Sequence, residues 1–194
     1  MWSHGVAIRP VPPYAVVEPR TVDAVREAFD DDEEEAQKRL DEAFTRFESS
    51  QPALSRRLEE ALERRGLDDT ARTLGYFLGV CVWLAFDEQF GGRLGRVDET
   101  AARAAAASFD LESELRAAEP NGPIEAEDVV AREQPALMEL IHDHVDVAIE
   151  TRSSDVDTDD VYAIYRVLLA QVLGLSYAVS PSPGVTTRAG EVLA

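Results

Sequence analysis

Three groups of side chains in this sequence have types and spacings that can bind a cation or move a proton. Glu139 and His142 form an ExxH pair, with His144 two residues further on. On a helix, positions three apart share a face, and ExxH pairs on two helices help to ligate di-iron carboxylate bundles. Asp155, Asp157 and Asp159 follow the DxDxD spacing that starts a calcium loop. The third group is the unbroken acidic run Asp30 to Glu35.

Each group falls short of what its chemistry requires. A calcium loop needs glycine at its sixth position and a bidentate acid at its twelfth; Asp160 and Arg166 stand there. The DxDxD segment therefore reads as a solvated turn that supplies a helix cap. The run from Asp30 reads as a helix start, because acids complement the positive end of the helix dipole. Glu139 and His142 are expected at the surface. They remain the metal ligands of an alternative reading, a metal-binding or redox helical bundle.

No nucleophile elbow, phosphate-binding lysine loop, dinucleotide fingerprint or HExxH motif is present. Gly91-Gly92-Arg93-Leu94-Gly95 is glycine-rich but has no lysine. Cys81 is the only cysteine, so an internal disulfide and a cysteine zinc site are both excluded. Between Val80 and Val82 it is expected to act as a small hydrophobe. With three histidines in the chain, acid–base catalysis would rest on carboxylates alone. The expectation leans away from an enzyme and assigns no cofactor.

The balance of 38 acids against 19 bases gives a net charge of -19 over 194 residues. Such a surface repels nucleic-acid phosphates and anionic lipid, and attracts basic proteins. Neither nucleic acid nor membrane is expected as a partner. Lys38 is the only lysine, a skew that fits either a GC-rich coding bias or life in high salt. Met1 to Gly5 lacks the basic start and apolar run of a signal peptide. The charge-free stretch from Thr73 to Phe86 is too short to span a bilayer. A bacterial, cytoplasmic protein is the expectation.

The elements that position these residues are helices. Residues 1–20 carry four prolines and read as an extended arm. Thr21 is placed as the cap of a first helix, and a second starts at the acidic run with the stripe Ala36, Leu40, Ala43, Phe44 and Phe47. Gln51-Pro52-Ala53-Leu54 then recurs 83 residues later as Gln134-Pro135-Ala136-Leu137. Proline suits the first position of a helix, so both copies mark a helix break. After each comes a polar turn, an Asp-Asp pair (Asp68-Asp69 and Asp159-Asp160) and a nearly charge-free helix, about 70–88 and 160–178.

The fold expected is all-α: a helical bundle of two tandem pseudo-repeats, each with an amphipathic helix, a turn and a buried apolar helix. The domain spans 21–179, with unit one at about 34–90, connecting helices at about 98–118, unit two at about 125–179 and a mobile tail at 180–194. Asp98 is expected to cap a helix over about 99–108, and Asp110 a separate segment to Ala118. Gly75 and Gly79 are expected to let the first apolar helix approach its counterpart.

These features predict a non-enzymatic interaction or assembly protein. An acidic scaffold would engage a basic protein partner, or another copy of itself, as an adaptor or an inhibitor of immunity type. Trp2 and Tyr14 on the arm are its candidate anchors. A ligand-binding bundle with a cavity between the apolar helices is a further possibility. In unit one, Arg56 and Glu59 stand where unit two has Glu139 and His142. The ExxH pair, the longer turn at 151–160 and the arm thus occur in one copy only.

Overall fold

The computed structural model describes residues 10–30, 32–118, 126–151 and 157–183. They form α1 (Pro19–Glu27), α2 (Glu33–Ser50), α3 (Pro52–Leu62), α4 (Asp69–Phe90), α5 (Glu99–Ala118), α6 (Ala126–Glu133), α7 (Pro135–Thr151) and α8 (Thr158–Ala178). Short 3-10 turns lie at Pro13–Ala15 and Gly91–Arg93. Among the described residues the only β pairing is an isolated bridge between Leu94 and Val179. The protein is an all-α helical bundle.

Aspartate caps start four of the helices by accepting otherwise unpaired N–H groups of the first turn. Asp32 caps α2 through the N–H groups of Glu34 and Glu35. Asp68 caps α4 through those of Thr70 and Ala71, and Asp98 caps α5 through that of Ala101. At α8 the cap is Asp157, which accepts from the N–H of Asp159 at 3.0 Å. The Asp159-Asp160 pair expected to open this helix lies inside it. Asp160 turns inward, 7% exposed, where it accepts the N–H of Asp68 at 2.8 Å and pairs with Arg64.

Two further boundaries differ from expectation. α1 begins at Pro19, ahead of Thr21, because proline at the first helical position lacks only an N–H that would have no helical partner. α5 runs unbroken to Ala118, where two segments were expected. One interior aspartate costs a helix less than about 1 kcal/mol, and the alanine run outweighs it.

α4 and α8 are the centre of the bundle. Leu78, Val80, Cys81, Val82, Trp83, Ala85 and Phe86 of α4 are each at most 1% exposed, and the run covers every side of the helix. A helix apolar all round must be enclosed. α4 and α8 therefore pack along each other; α1 and α2 cover α4, α5 covers α8, and α3 and α7 touch both. α8 is long and apolar enough to cross a membrane by length and composition, yet 67% of its most apolar window is buried within the protein. It is a core helix of the bundle.

The two glycines of α4 admit different neighbours. A Cβ at Gly75 would lie 2.7 Å from Ile164 of α8 and 2.8 Å from Leu62 of α3. A Cβ at Gly79 would lie 2.4 Å from Leu58, so this glycine admits α3 and not the counterpart helix.

Glutamines hold the two extended segments that enter the core. Gln51, at the break between α2 and α3, donates from Nε2 to Gly95 O at 2.9 Å and accepts the Val97 N–H at 2.8 Å. Gln134, at the break between α6 and α7, donates to Ala15 O at 2.8 Å and accepts the Val17 N–H at 2.9 Å. Each carboxamide bonds a C=O and the N–H two residues on, as a neighbouring β-strand would. Gln89 repeats the pattern on the other edge of the first segment, through Val16 O and the Glu18 N–H, both at 2.7 Å. Val11, Ala15 and Val17 are at most 5% exposed, so residues 11–17 lie against the bundle as a strap. Residues 184–194 of the expected tail, and the loop expected at 120–123, lie outside the described residues.

Gln134→Leu fills a similar volume but leaves the buried Val17 N–H and Ala15 C=O without partners. Each such group costs about 1–3 kcal/mol, so the urea midpoint should fall by the equivalent of about 2–4 kcal/mol. Gln89→Leu, at a half-buried position, should cost less.

Candidate functional site

α7 carries the ExxH pair because its first turn packs Ala136, Leu137, Met138, Leu140 and Ile141 inward. Glu139 is left on the exposed side. His142 is half-buried rather than at the surface, and its Nε2 shares a hydrogen bond of 2.8 Å with the Tyr165 hydroxyl of α8. His144 donates from Nδ1 to Leu140 O at 2.8 Å, and its ring centroid lies 5.3 Å from that of Phe77. Both imidazoles thus join α7 to the helices behind it. Among the described residues, no three His, Cys, Asp or Glu side chains gather in a way that could hold a metal.

Of the DxDxD segment, Asp155 lies outside the described residues, Asp157 serves as the α8 cap, and Asp159 is exposed. Cys81 is 1% exposed and burial pushes its thiol far up, which removes the thiolate a nucleophile needs. Trp83 is enclosed between Phe47, with centroids 5.6 Å apart, and the Arg46 guanidinium, 5.3 Å from its ring. Trp2 lies outside the described residues. Tyr14 sits on the strap, half-buried against the core.

The acidic surface has a definite centre on α2 and α3. Glu33, Glu34, Asp41 and Glu42 share one exposed face of α2, with Lys38 the one basic side chain among them. At the seam with α3, the Glu59 carboxyl is held above its ordinary range. Burial is the main cause, followed by the charge of Glu48, a hydrogen bond to it, and the charge of Glu63. The Tyr76 hydroxyl donates to Asp41 Oδ1 at 3.0 Å, and burial together with that bond raises its pKa. Arginine answers part of this charge, as in the Arg39–Glu35 and Arg46–Asp87 pairs.

A second recess, of about 370 Å³, opens between α3, α5 and α8, and Arg57, Glu60 and Gln171 contribute to its lining. Sequence reasoning passed over these residues. The available signal was Gln171, a lone amide in the otherwise apolar stretch from Val167 to Leu175.

A carboxyl with a raised pKa in the folded state binds its proton more tightly there than in the unfolded chain. Its charged form therefore subtracts from stability above the ordinary carboxylate range, and the penalty disappears below it. Glu59→Gln should raise the urea midpoint at pH 7. The difference from the parent should close as the pH falls below the ordinary value of 4.5.

Comparison of the chain with protein families, with curated proteins and with solved structures finds no match to any of them.

Proposed function

We propose that this chain is a non-enzymatic, cytoplasmic binding protein whose α2–α3 face engages a basic protein partner, in the manner of an adaptor or an inhibitor. The observation that carries this reading is the crowding of carboxylates on that face. Glu48 and Glu63 raise the cost of ionising Glu59, while Glu33, Glu34, Asp41 and Glu42 share an exposed face of α2 beside them. Basic side chains from a partner would relieve that repulsion and steer the encounter. The imidazoles of His142 and His144 and the Cys81 thiol are tied into the helix packing or buried.

The same reading takes the bundle as two copies of one unit: an extended segment followed by four helices. Its support is the pattern of the glutamine bonds. Gln51 and Gln134, 83 residues apart, each hold a C=O and the N–H two residues on; the segments they hold, Gly95 to Val97 and Ala15 to Val17, are 80 residues apart. Each segment runs directly into a helix cap, Asp98 or Glu18.

Affinity capture from the source organism's lysate, followed by identification of what is retained, tests the functional reading. A basic protein should be retained at low salt and released at high salt, since exposed charges more than about 10 Å apart are screened at 0.1 M ionic strength. The triple variant Glu34→Gln, Asp41→Asn, Glu42→Gln should bind the identified partner at least about tenfold more weakly, a loss of about 1.4 kcal/mol. Retention of no basic protein, or equal binding by the triple variant, would sink the reading.

A further inference from the structure

The recess between α3, α5 and α8 has the size of a small-molecule site. Small apolar side chains make much of its wall, with Ala61 from α3, Ala102 and Ala106 from α5, and Ala170 from α8. Two polar side chains in the lining lack expected partners. Gln171 is 3% exposed, and its Nε2 donates to Gly79 O at 2.7 Å, which fixes the orientation of the amide. Its Oε1 is buried and accepts no hydrogen bond, although buried acceptors are nearly always satisfied. Arg57 is half-buried and makes no ion pair or hydrogen bond among the described residues, in a chain with twice as many acids as bases.

The equivalent space on the opposite side of the bundle is filled. The separations of 83 and 80 residues seen at the glutamine bonds carry Ala61 to His144, Glu60 to Asp143 and Ala106 to Arg26. There the His144 ring stacks on Phe77 at 5.3 Å, Phe29 meets Phe77 edge-on at 5.7 Å, and Arg26 pairs with Asp143 at 2.7 Å. This architecture accommodates a plugged recess, so the alanines are not demanded by the packing. The correspondence rests on the two-unit reading above; the hollow, the unpaired arginine and the unsatisfied amide oxygen stand without it.

We infer that the recess binds a small organic monoanion with an apolar body. The body lies against the alanine wall, where burial of apolar area supplies the main attraction. The anionic group meets the Arg57 guanidinium, a fork of donors suited to carboxylate and sulfonate oxygens. The lining carries two guanidiniums, Arg57 and Arg166, against the one carboxylate of Glu60, three residues along α3 from Arg57, so its balance favours a ligand with a single negative charge.

The probe that fits this description is 1-anilinonaphthalene-8-sulfonate, which carries one sulfonate and an aryl body. Titrated into the full chain and followed by fluorescence, it should saturate a single site, and sodium octanoate should displace it. Arg57→Gln should weaken the dye at least about tenfold, because a charge-assisted bond is lost. Ala106→Phe should abolish binding, and Ala61→His, which installs the side chain of the filled side, should do the same. Circular dichroism and the urea midpoint, measured on each variant, separate a blocked site from a disrupted fold; Arg57→Gln at its half-buried position carries the test if the plugging variants do not fold. Absence of a saturable signal, or binding unaffected by the folded plugging variants, would overturn the site. Loss on plugging with no effect of Arg57→Gln would overturn the assignment of an anion.

Discussion

A helix that is apolar on one side needs one partner, whereas a helix apolar on all sides needs a sheath. α4 and α8 are both of the second kind, and the remaining elements are arranged as the sheath they require. The six sheathing helices leave seams around these two cores, and short segments outside the α-helices fill them at residues 11–17 and 94–97. Extended chain inside a helical protein has no ladder to complete its hydrogen bonds, and buried N–H and C=O groups must be satisfied. The carboxamides of Gln51, Gln134 and Gln89 meet that demand in place of a neighbouring strand. The glutamine clamps are therefore a consequence of burying two helices at once.

The same burial sorts the charges. With the centre closed to ionised groups by desolvation, nearly all of the acidic excess lies on the outer faces. Some of it is useful there, as in the caps at Asp32, Asp68, Asp98 and Asp157. Among the described residues Asp160 is the exception, an inward carboxylate that ties the start of α4 to the start of α8 through the Asp68 N–H and Arg64. The remainder crowds along α2 and α3. Function on this scaffold divides accordingly between a charged outer face and a hollow lined by alanine.

Much of the bundle was legible because its signals are local. The acidic run, the Gln-Pro breaks and the charge-free helices each follow from residues a few positions apart, and the structure has helices at all of them. What escaped depended on distant partners. The prolines mark residues 10–19 as extended chain, and nothing local shows that Val11, Ala15 and Val17 are buried until Gln134 is placed beside them. Asp157 and Asp160 are the same residue type in one short turn; only the position of Asp68, on another helix, decides which of them caps and which turns inward. His142 read as a surface residue because its partner, Tyr165, lies 23 residues further along the chain. The recess left still less trace, since alanines that line a hollow look the same in sequence as alanines that favour a helix.

The strap also sets the order in which the protein can be completed during synthesis. Ala15 and Val17 leave the ribosome well before the amide that receives them, which lies 119 and 117 residues downstream. Until that stretch has emerged, α4 lacks α8 along its length, and the strap has at most the edge offered by Gln89. The nascent chain therefore carries α4 with its α8-facing side uncovered until α8 has emerged. Its final structure closes late, when the downstream helices bring Gln134 back to the first residues of the fold.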